Sequence, residues 1–362
     1  MPYVLGIDIG AGTTKAAVSR RADGSGPGWG PAQPVTLGAR SRTVGSALAM
    51  TPEGDVVPAD LLRPPADGVG GYLHRVGDSL PMLFGGDYFP AHGLVAAMTR
   101  WVVDRVWQQF DEPPERIALA YPSGWGNGRL HLLHSALGEA DLAQTALVTR
   151  ARAVVESHQA AGRVPAAGGM LLAYRIGGST CEVTLAVPHG PGRLELLGSA
   201  ELDEISGFDL DDAAPADARA VIQSTVDLAL HTVRSCGAAP SDLSAVLIAG
   251  GSGAVYPYVS DLLSAAFPVP VLRDPDPAVT VAAGAALAVR PQVRRPAPPP
   301  GAGPGGPVPA GLPVLPEGPG FEAPGMEALA PDSWPEIASG DRAPLRPARP
   351  PVAVATVRAG GR

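Results

Sequence analysis

Two stretches of the chain share one pattern of apolar and polar positions. Residues 3–18 form an apolar run, a Gly-rich turn and a second apolar run, which predicts a β-hairpin. The pattern returns at Met170–Ile176 and 181–187, joined by the turn 177–180. We therefore expect a degenerate internal duplication, with two related α/β lobes that bring both Gly-rich turns to one cleft.

An amphipathic helix is predicted after residue 90, because apolar side chains recur there at helical spacing. Trp101 and Trp107 flank this apolar stripe and are expected in the core. The apolar positions of this helix are Leu94, Val95, Met98, Val102, Val106 and Phe110. Further strands are predicted at 44–49, 56–57, 116–121, 146–148, 194–199 and 245–249, and further helices at 129–137, 151–161, 216–235, 255–267 and 278–286. Residues 20–34 are Gly- and Pro-rich and predict a flexible turn.

The chain changes character at residue 291, where Pro and Gly become dominant and the apolar periodicity ends. Such a segment buries too little apolar surface to offset the entropy lost on ordering. We predict an N-terminal lobe at 1–165, a shortened C-terminal lobe at 166–290, and a disordered tail at 291–362 that can be removed without loss of the folded core. The run Pro296–Pro300 could also form polyproline II and dock a protein partner.

Composition and charge exclude several classes of function. The 362 residues are 45% hydrophobic and carry a net charge of −8, which argues against a general nucleic-acid binder. Two cysteines, Cys181 and Cys236, make no disulfide framework and suit a reducing cytoplasm. The N-terminus lacks the pattern of a signal peptide, and no apolar run reaches the length of a membrane span. We expect a cytoplasmic protein without membrane contact.

Asp8 interrupts the first apolar strand, where a carboxylate is costly unless it has a partner such as a metal ion. Gly10 and Gly12 allow the backbone to approach phosphate oxygens, and Thr13 adds a hydroxyl group. Lys15 is available to an anion unless it points to solvent. The alternative is a plain hairpin, in which the glycines serve only the turn and Asp8 caps the strand.

Four segments resemble, in order and spacing, the ATPase domain of DnaK-type heat-shock chaperones, within the actin, sugar-kinase and heat-shock ATPase superfamily. These segments are 6–10, 172–180, 246–252 and 275–286. Weaker similarity at 51–57, at 121–125 and around Phe208 favours the DnaK branch over sugar kinases. The resemblance covers about residues 3–290 and implies two ribonuclease-H-like lobes around a nucleotide cleft, the actin-like ATPase fold.

The resemblance also implies a binding site for ATP or ADP. Asp8 is placed as the catalytic and metal-binding acid. The positions that would contact the nucleotide are Gly10, Ala11, Gly12 and Thr13 in the first hairpin, Gly177, Gly178, Ser179 and Thr180 in the second, and Gly250, Gly251, Ser252 and Asp276 further on.

Two arginines depart from the family pattern. The second acid of the γ-phosphate end is replaced by Arg175, and the glutamate that helps to position the attacking water is replaced by Arg150. The family's phosphate-binding lysine has no clear match, and Arg63 is the nearest cation. Arginine is always protonated and has no acceptor atom, so it serves neither as a base nor as a metal ligand. The site therefore suits anions better than Mg²⁺. Arg175 either faces the phosphates or turns outward to pair with Glu182.

Two larger departures concern whole modules. Asp212 runs almost directly into the helix predicted at 216, so the subdomain that sandwiches the adenine in the family is reduced. No segment after residue 290 resembles the family's peptide-binding module. Three functions follow as hypotheses: a weak or non-hydrolysing ATP-binding regulatory or scaffold domain, an active chaperone-like ATPase, or a pseudo-ATPase that binds no nucleotide and only contacts partners.

Overall fold

The computed structural model describes residues 1–21, 28–64, 68–203, 215–250 and 256–291. Several positions singled out in the sequence lie outside these residues, namely Gly251, Ser252, Phe208 and the segment 292–362. The described part is a mixed α/β structure with two large mixed sheets and six α-helices. No helix in these ranges is long and apolar enough to cross a bilayer.

The described strands and helices follow one another along both halves of the chain. In chain order, the strands are β1 (Tyr3–Ile9), β2 (Thr13–Arg20), β3 (Gln33–Pro34), β4 (Thr43–Gly45), β5 (Leu48–Met50), β6 (Val56–Pro58), β7 (Met82–Phe84), β8 (Asp87–Phe89), β9 (Arg116–Tyr121), β10 (Ala146–Thr149), β11 (Met170–Ile176), β12 (Thr180–Pro188), β13 (Leu194–Asp203), β14 (Leu243–Gly250) and β15 (Val271–Arg273). The helices are α1 (Ala91–Phe110), α2 (Asn127–Glu139), α3 (Arg150–Ala160), α4 (Pro215–Ser235), α5 (Tyr256–Ala266) and α6 (Thr280–Ala288).

The two large sheets have the same sequence of pairings. The first runs β10-β9-β1-β2-β3, with β4 also on β2, and the second runs β15-β14-β11-β12-β13. In each, the central strand is antiparallel to the next strand in the chain and parallel to a later one. The central strands β1 and β11 therefore occupy equivalent places, and each opens an antiparallel hairpin.

Alternating faces of the strands supply three apolar cores. Leu5 and Ile7 pack with α1 and α2 on one side of the first sheet, whereas Val4 faces α3 and α6. In the second sheet, Leu172 and Tyr174 pack with α4 and α5, whereas Leu171 faces α3 and α6. Helices α3 and α6 therefore lie between the two sheets and share one core with both.

Small residues allow this central layer to form. A Cβ atom on Gly6 of β1 would overlap the backbone of Ala282 and Ala286 in α6. A Cβ atom on Gly284 would overlap the carbonyl oxygen of Ala153 in α3. The backbones of β1, α6 and α3 are thus in direct contact, which fixes the start of α3 near the end of β1.

Most predicted elements are confirmed, with shifts of a few residues at their ends. Within the stretch 20–34, predicted as a flexible turn, residues 22–27 lie outside the described part of the chain, and the described residues include a bridge between Arg21 and Trp29 as well as β3. The strand predicted at 44–49 is two short strands, and the β7–β8 hairpin and β15 were not predicted. Trp101 packs partly buried on the core, but Trp107 is 45% exposed, so its placement in the core is wrong.

Candidate functional site

Both hairpins close in the same way. The N–H of Gly10 donates to the carbonyl oxygen of Thr13 at 3.0 Å, and the N–H of Gly177 donates to that of Thr180 at 2.7 Å. The flanking pairs, Ile9 with Thr14 and Ile176 with Cys181, also stand in the same register. The two turns are therefore local structural equivalents.

This equivalence shows a reversal of charge between the hairpins. Asp8 lies two residues before the first turn and is the cross-strand neighbour of Lys15 on β2. Arg175 lies two residues before the second turn and is the cross-strand neighbour of Glu182 on β12. The acid and the base have thus exchanged strands between the two hairpins.

Asp8 is enclosed by two guanidinium groups. Its side chain is 2% exposed, with Oδ1 at 3.3 Å from Nε of Arg150 and Oδ2 at 3.7 Å from Nη2 of Arg175. Burial acts to raise the pKa of Asp8, but the charges of Arg175, Arg150 and Lys15 outweigh it and hold the pKa below its usual value. Asp8 is therefore an ionised carboxylate whose two oxygens both face cations of the protein.

Arg150 connects the two hairpins. It is the first residue of α3, which Thr149 caps by accepting a hydrogen bond from the N–H of Arg152. The buried Arg150 side chain donates to the carbonyl oxygen of Ile9 at 2.9 Å, and its Nη1 lies 3.5 Å from Oε2 of Glu182. A cation at the N-terminus of a helix opposes the helix dipole, so these acceptors offset an otherwise unfavourable position.

Glu182 is also held by the backbone between β9 and α2. Its side chain is 3% exposed, and Oε1 accepts a hydrogen bond from the N–H of Ser123 at 2.8 Å. The hydroxyl oxygen of Ser123 accepts a hydrogen bond from the N–H of Ala151 at 3.0 Å. Glu182 and Ser123 were not predicted as site residues. The internal duplication could have predicted Glu182, because Glu182 in the second hairpin is equivalent to Lys15 in the first.

Arg175 does not turn outward, as one interpretation of the sequence had it. It is 5% exposed and its guanidinium lies beneath both Gly-rich turns. A Cβ atom on Gly177 would lie 2.9 Å from its Nη1, and one on Gly10 would lie 3.7 Å from its Nη2. Glycine at position 177 leaves room for the guanidinium group, whereas a Cβ atom on Gly10 would be in ordinary contact with it and would instead crowd the carbonyl oxygen of Thr13 at 2.8 Å.

Lys15 supplies a further cation beside the first turn. Its Nζ would lie 3.8 Å from a Cβ atom on Gly10, and its one described hydrogen bond goes to the carbonyl oxygen of Thr13 at 3.4 Å. Burial lowers the pKa of Lys15 to about 8, although the charge of Asp8 acts in the opposite direction. Arg63, the cation suggested by the sequence, instead donates to the carbonyl oxygens of Asp60 and Leu62 on the surface.

The Gly-rich turns are partly exposed to solvent, whereas the charged side chains of Asp8, Arg150 and Arg175 are buried. The partly exposed positions are Ala11, Gly12 and Thr13 in the first turn and Gly177, Gly178 and Ser179 in the second. Gly10 and Thr180 are buried. A ligand could therefore reach the tips of the turns from solvent, while Asp8, Arg150 and Arg175 remain covered.

Two other predicted positions are placed differently. Gly250 ends β14 with a φ of +74°, and a Cβ atom there would overlap the carbonyl oxygen of Ile176, so glycine is needed next to the second hairpin. Asp276 is separate from the cluster around Asp8. It pairs with Arg42 at 2.8 Å and lines a cavity of about 600 Å³ whose walls include neither Asp8 nor the hairpin glycines.

The charged groups of the site do not favour hydrolysis of ATP. They are Asp8, Lys15, Arg150, Arg175 and Glu182. Both carboxylates, Asp8 and Glu182, face arginines, and neither is free to hold the water shell of a metal ion or to activate a water molecule. The cations, in contrast, exceed the acids by one when Lys15 is protonated. The arrangement suits an anion better than a divalent cation.

Comparison with known proteins adds no family to this picture. No protein-family model matches the sequence, and no curated protein matches it at a significant level of similarity. The resemblance to DnaK-type ATPase domains therefore depends on the motifs described above.

Proposed function

We propose that residues 1–290 form a DnaK-like ATP-binding domain with no peptide-binding module, which binds adenine nucleotide weakly and hydrolyses it at most slowly. Its role would be that of a regulatory or scaffold module that contacts a protein partner, for which the Pro-rich tail is a candidate. The observation that carries this proposal is the position of Asp8 between Arg150 and Arg175.

The fold supports the nucleotide-binding part of the proposal. Two sheets with the same sequence of pairings, each with a Gly-turn hairpin at its centre, are what duplicated actin-like lobes would require. Contacts from Arg150 and Arg175 to Asp8 bring the two hairpins together. In a fold of this kind, the phosphates of a nucleotide lie between the two turns.

The charges support binding without a metal ion. Lys15 and Arg175 converge on Gly10, where a phosphate of the nucleotide would approach the backbone of the first turn. Charge-assisted hydrogen bonds from such groups to phosphate are stronger than neutral ones. A resident Mg²⁺ does not fit these residues, because the carboxylates that would hold its water shell are already paired with guanidinium groups.

A second candidate is a pseudo-ATPase that binds no nucleotide. It is favoured by the balance within the buried network, where Asp8 and Glu182 offset Arg150 and Arg175 without any ligand. In that case the network would only hold the hairpins together. The third hypothesis, an active chaperone-like ATPase, requires catalytic groups at other positions.

The test is a titration of the full chain with labelled ATP, once with Mg²⁺ and once with a chelator, together with an assay of phosphate release. We expect saturable binding of one ATP per chain, with an affinity that changes less than threefold between the two conditions and no turnover above background. In the double variant Arg150→Glu with Arg175→Asp, binding should become dependent on Mg²⁺.

Arg152→Glu serves as the control, because it adds the same kind of charge two residues further along α3 without touching Asp8. Binding of ATP only in the presence of Mg²⁺, or rapid turnover by the native chain, would overturn the proposal. The absence of binding in both conditions would support the pseudo-ATPase instead.

A further inference from the structure

Three potential metal ligands meet where the first lobe faces the edge of the second sheet. His74 lies in the turns that precede β7, whereas Glu201 and Asp203 lie on β13. One ligand atom from each residue falls within 4.8 Å of the other two, and Nδ1 of His74 is 3.9 Å from Oδ1 of Asp203. His74 is about 130 positions away from the other two residues in sequence, so only the fold brings it to them.

The donor set is one imidazole nitrogen and two carboxylate oxygens. Imidazole favours transition-metal ions such as Zn²⁺ over Mg²⁺ and Ca²⁺, which prefer oxygen alone. The Nε2 atom of His74 is buried and has no hydrogen-bond partner among the described residues. A ring nitrogen of His74 is therefore available to bind a metal ion.

A buried carboxylate next to the three ligands also supports a cation site. Glu182 is the cross-strand neighbour of Glu201 on the same face of the sheet. Its side chain is 3% exposed, and its Oε2 accepts no hydrogen bond in the described part of the chain, although Arg150 lies 3.5 Å away. Asp203 follows Glu201 by two positions on β13, so Glu182, Glu201 and Asp203 lie on one face of the sheet, and a divalent cation bound at Glu201 and Asp203 would reduce the repulsion between their charges.

We propose that His74, Glu201 and Asp203 bind one divalent transition-metal ion of the Zn²⁺ type. The ion would tie the turns of the first lobe to β13 of the second sheet, and water would complete its coordination. The site shares no ligand with the cluster around Asp8 and does not depend on nucleotide binding.

The test is calorimetric titration of the nucleotide-free full chain with Zn²⁺ alone, accompanied by thermal unfolding with and without the ion. We expect one Zn²⁺ per chain and a higher melting temperature when it is bound. His74→Ala and Asp203→Asn should each weaken Zn²⁺ binding at least tenfold and remove the rise in melting temperature. Asp203 is largely exposed, so its replacement by asparagine is compatible with a folded chain.

His189→Ala provides the matched control. His189 also pairs with a carboxylate of β13, Glu195, at 2.7 Å, but it has no third ligand in the described structure. Its replacement should leave Zn²⁺ binding unchanged. The proposal is overturned if the native chain binds no Zn²⁺, if both site variants retain full affinity, or if only the control variant loses it.

Discussion

Replacing Arg150 with alanine should test whether the buried charge network holds the two hairpins together. The side chain is 2% exposed, lies near the carboxylates of Asp8 and Glu182, and donates to the carbonyl oxygen of Ile9 at 2.9 Å. Removing one partner of a buried ion pair costs about 3–5 kcal/mol, because the remaining charge stays buried without compensation. We expect a loss of this size, since only Arg175 would remain near both acids.

The assay is urea unfolding followed by circular dichroism at pH 7, with linear extrapolation to water. Arg152→Ala is the control, because Arg152 lies in the same helix and pairs with Glu156 at 3.6 Å in a partly exposed position. Such i,i+4 pairs contribute about 0.3–0.5 kcal/mol. If the two variants lower the free energy of unfolding equally, the buried network contributes nothing beyond an ordinary surface pair and the reasoning is wrong.

Two further predictions concern packing and pH. Gly284→Ala should destabilise the chain by about 1–3 kcal/mol, because its Cβ atom would overlap Ala153, whereas Gly138→Ala has open space in α2 and should stabilise it by about 0.5–1 kcal/mol. Melting temperatures that move in the same direction for both variants would contradict this. Burial lowers the pKa of His158 from 6.5 to about 4, so the unfolded chain binds more protons between these values and stability should fall by about 3 kcal/mol on acidification through this window. His158→Leu should lack this loss when urea midpoints are compared at pH 7 and pH 4.5, and an unchanged pH dependence would show that another group is responsible.

The hairpins could be predicted from the sequence because their signals are local. A buried strand, a turn with glycine and a second strand fall within about 18 residues, and their register follows from the turn. The same local pattern identified Asp8 as a notable position, whereas Arg175 was identified from the resemblance to the DnaK family. The pattern does not predict the distance between Asp8 and Arg175, because nothing within either hairpin determines where the other hairpin lies.

The partners of Asp8 depend on the tertiary structure. Arg150 is 142 positions away in sequence and reaches Asp8 only because α3 packs through Gly284 against α6, which lies on β1. Its position in the resembling family suggested a link to the site, but its contact with Ile9 could not be deduced. Ser123 carries no chemical signal in the sequence, since its contact with Glu182 is made by its backbone N–H.

The missed hairpin β7–β8 has a different cause. Each of its strands has three residues, and the cross-strand neighbours Leu83 and Tyr88 are both largely exposed. Prediction from periodicity requires one apolar face that is buried and several residues to display it. Trp107 failed for a related reason, because an aromatic residue beside an apolar stripe does not reveal which side of the helix meets the core.

The exchange of acid and base between the two hairpins restricts how this protein could evolve. Arg175→Asp alone would turn a set of two acids and three cations into one with three acids facing only Arg150 and Lys15. Arg150→Glu alone would leave three acids facing only Arg175 and Lys15. A lineage that moved between the arginine-bearing and the all-acid form by single substitutions would pass through a less stable ancestor. Simultaneous substitution of both arginines, or a bound metal ion that offsets the added negative charge, would avoid that intermediate. Each form should therefore persist over long periods once it is established, and orthologues should carry both arginines or neither.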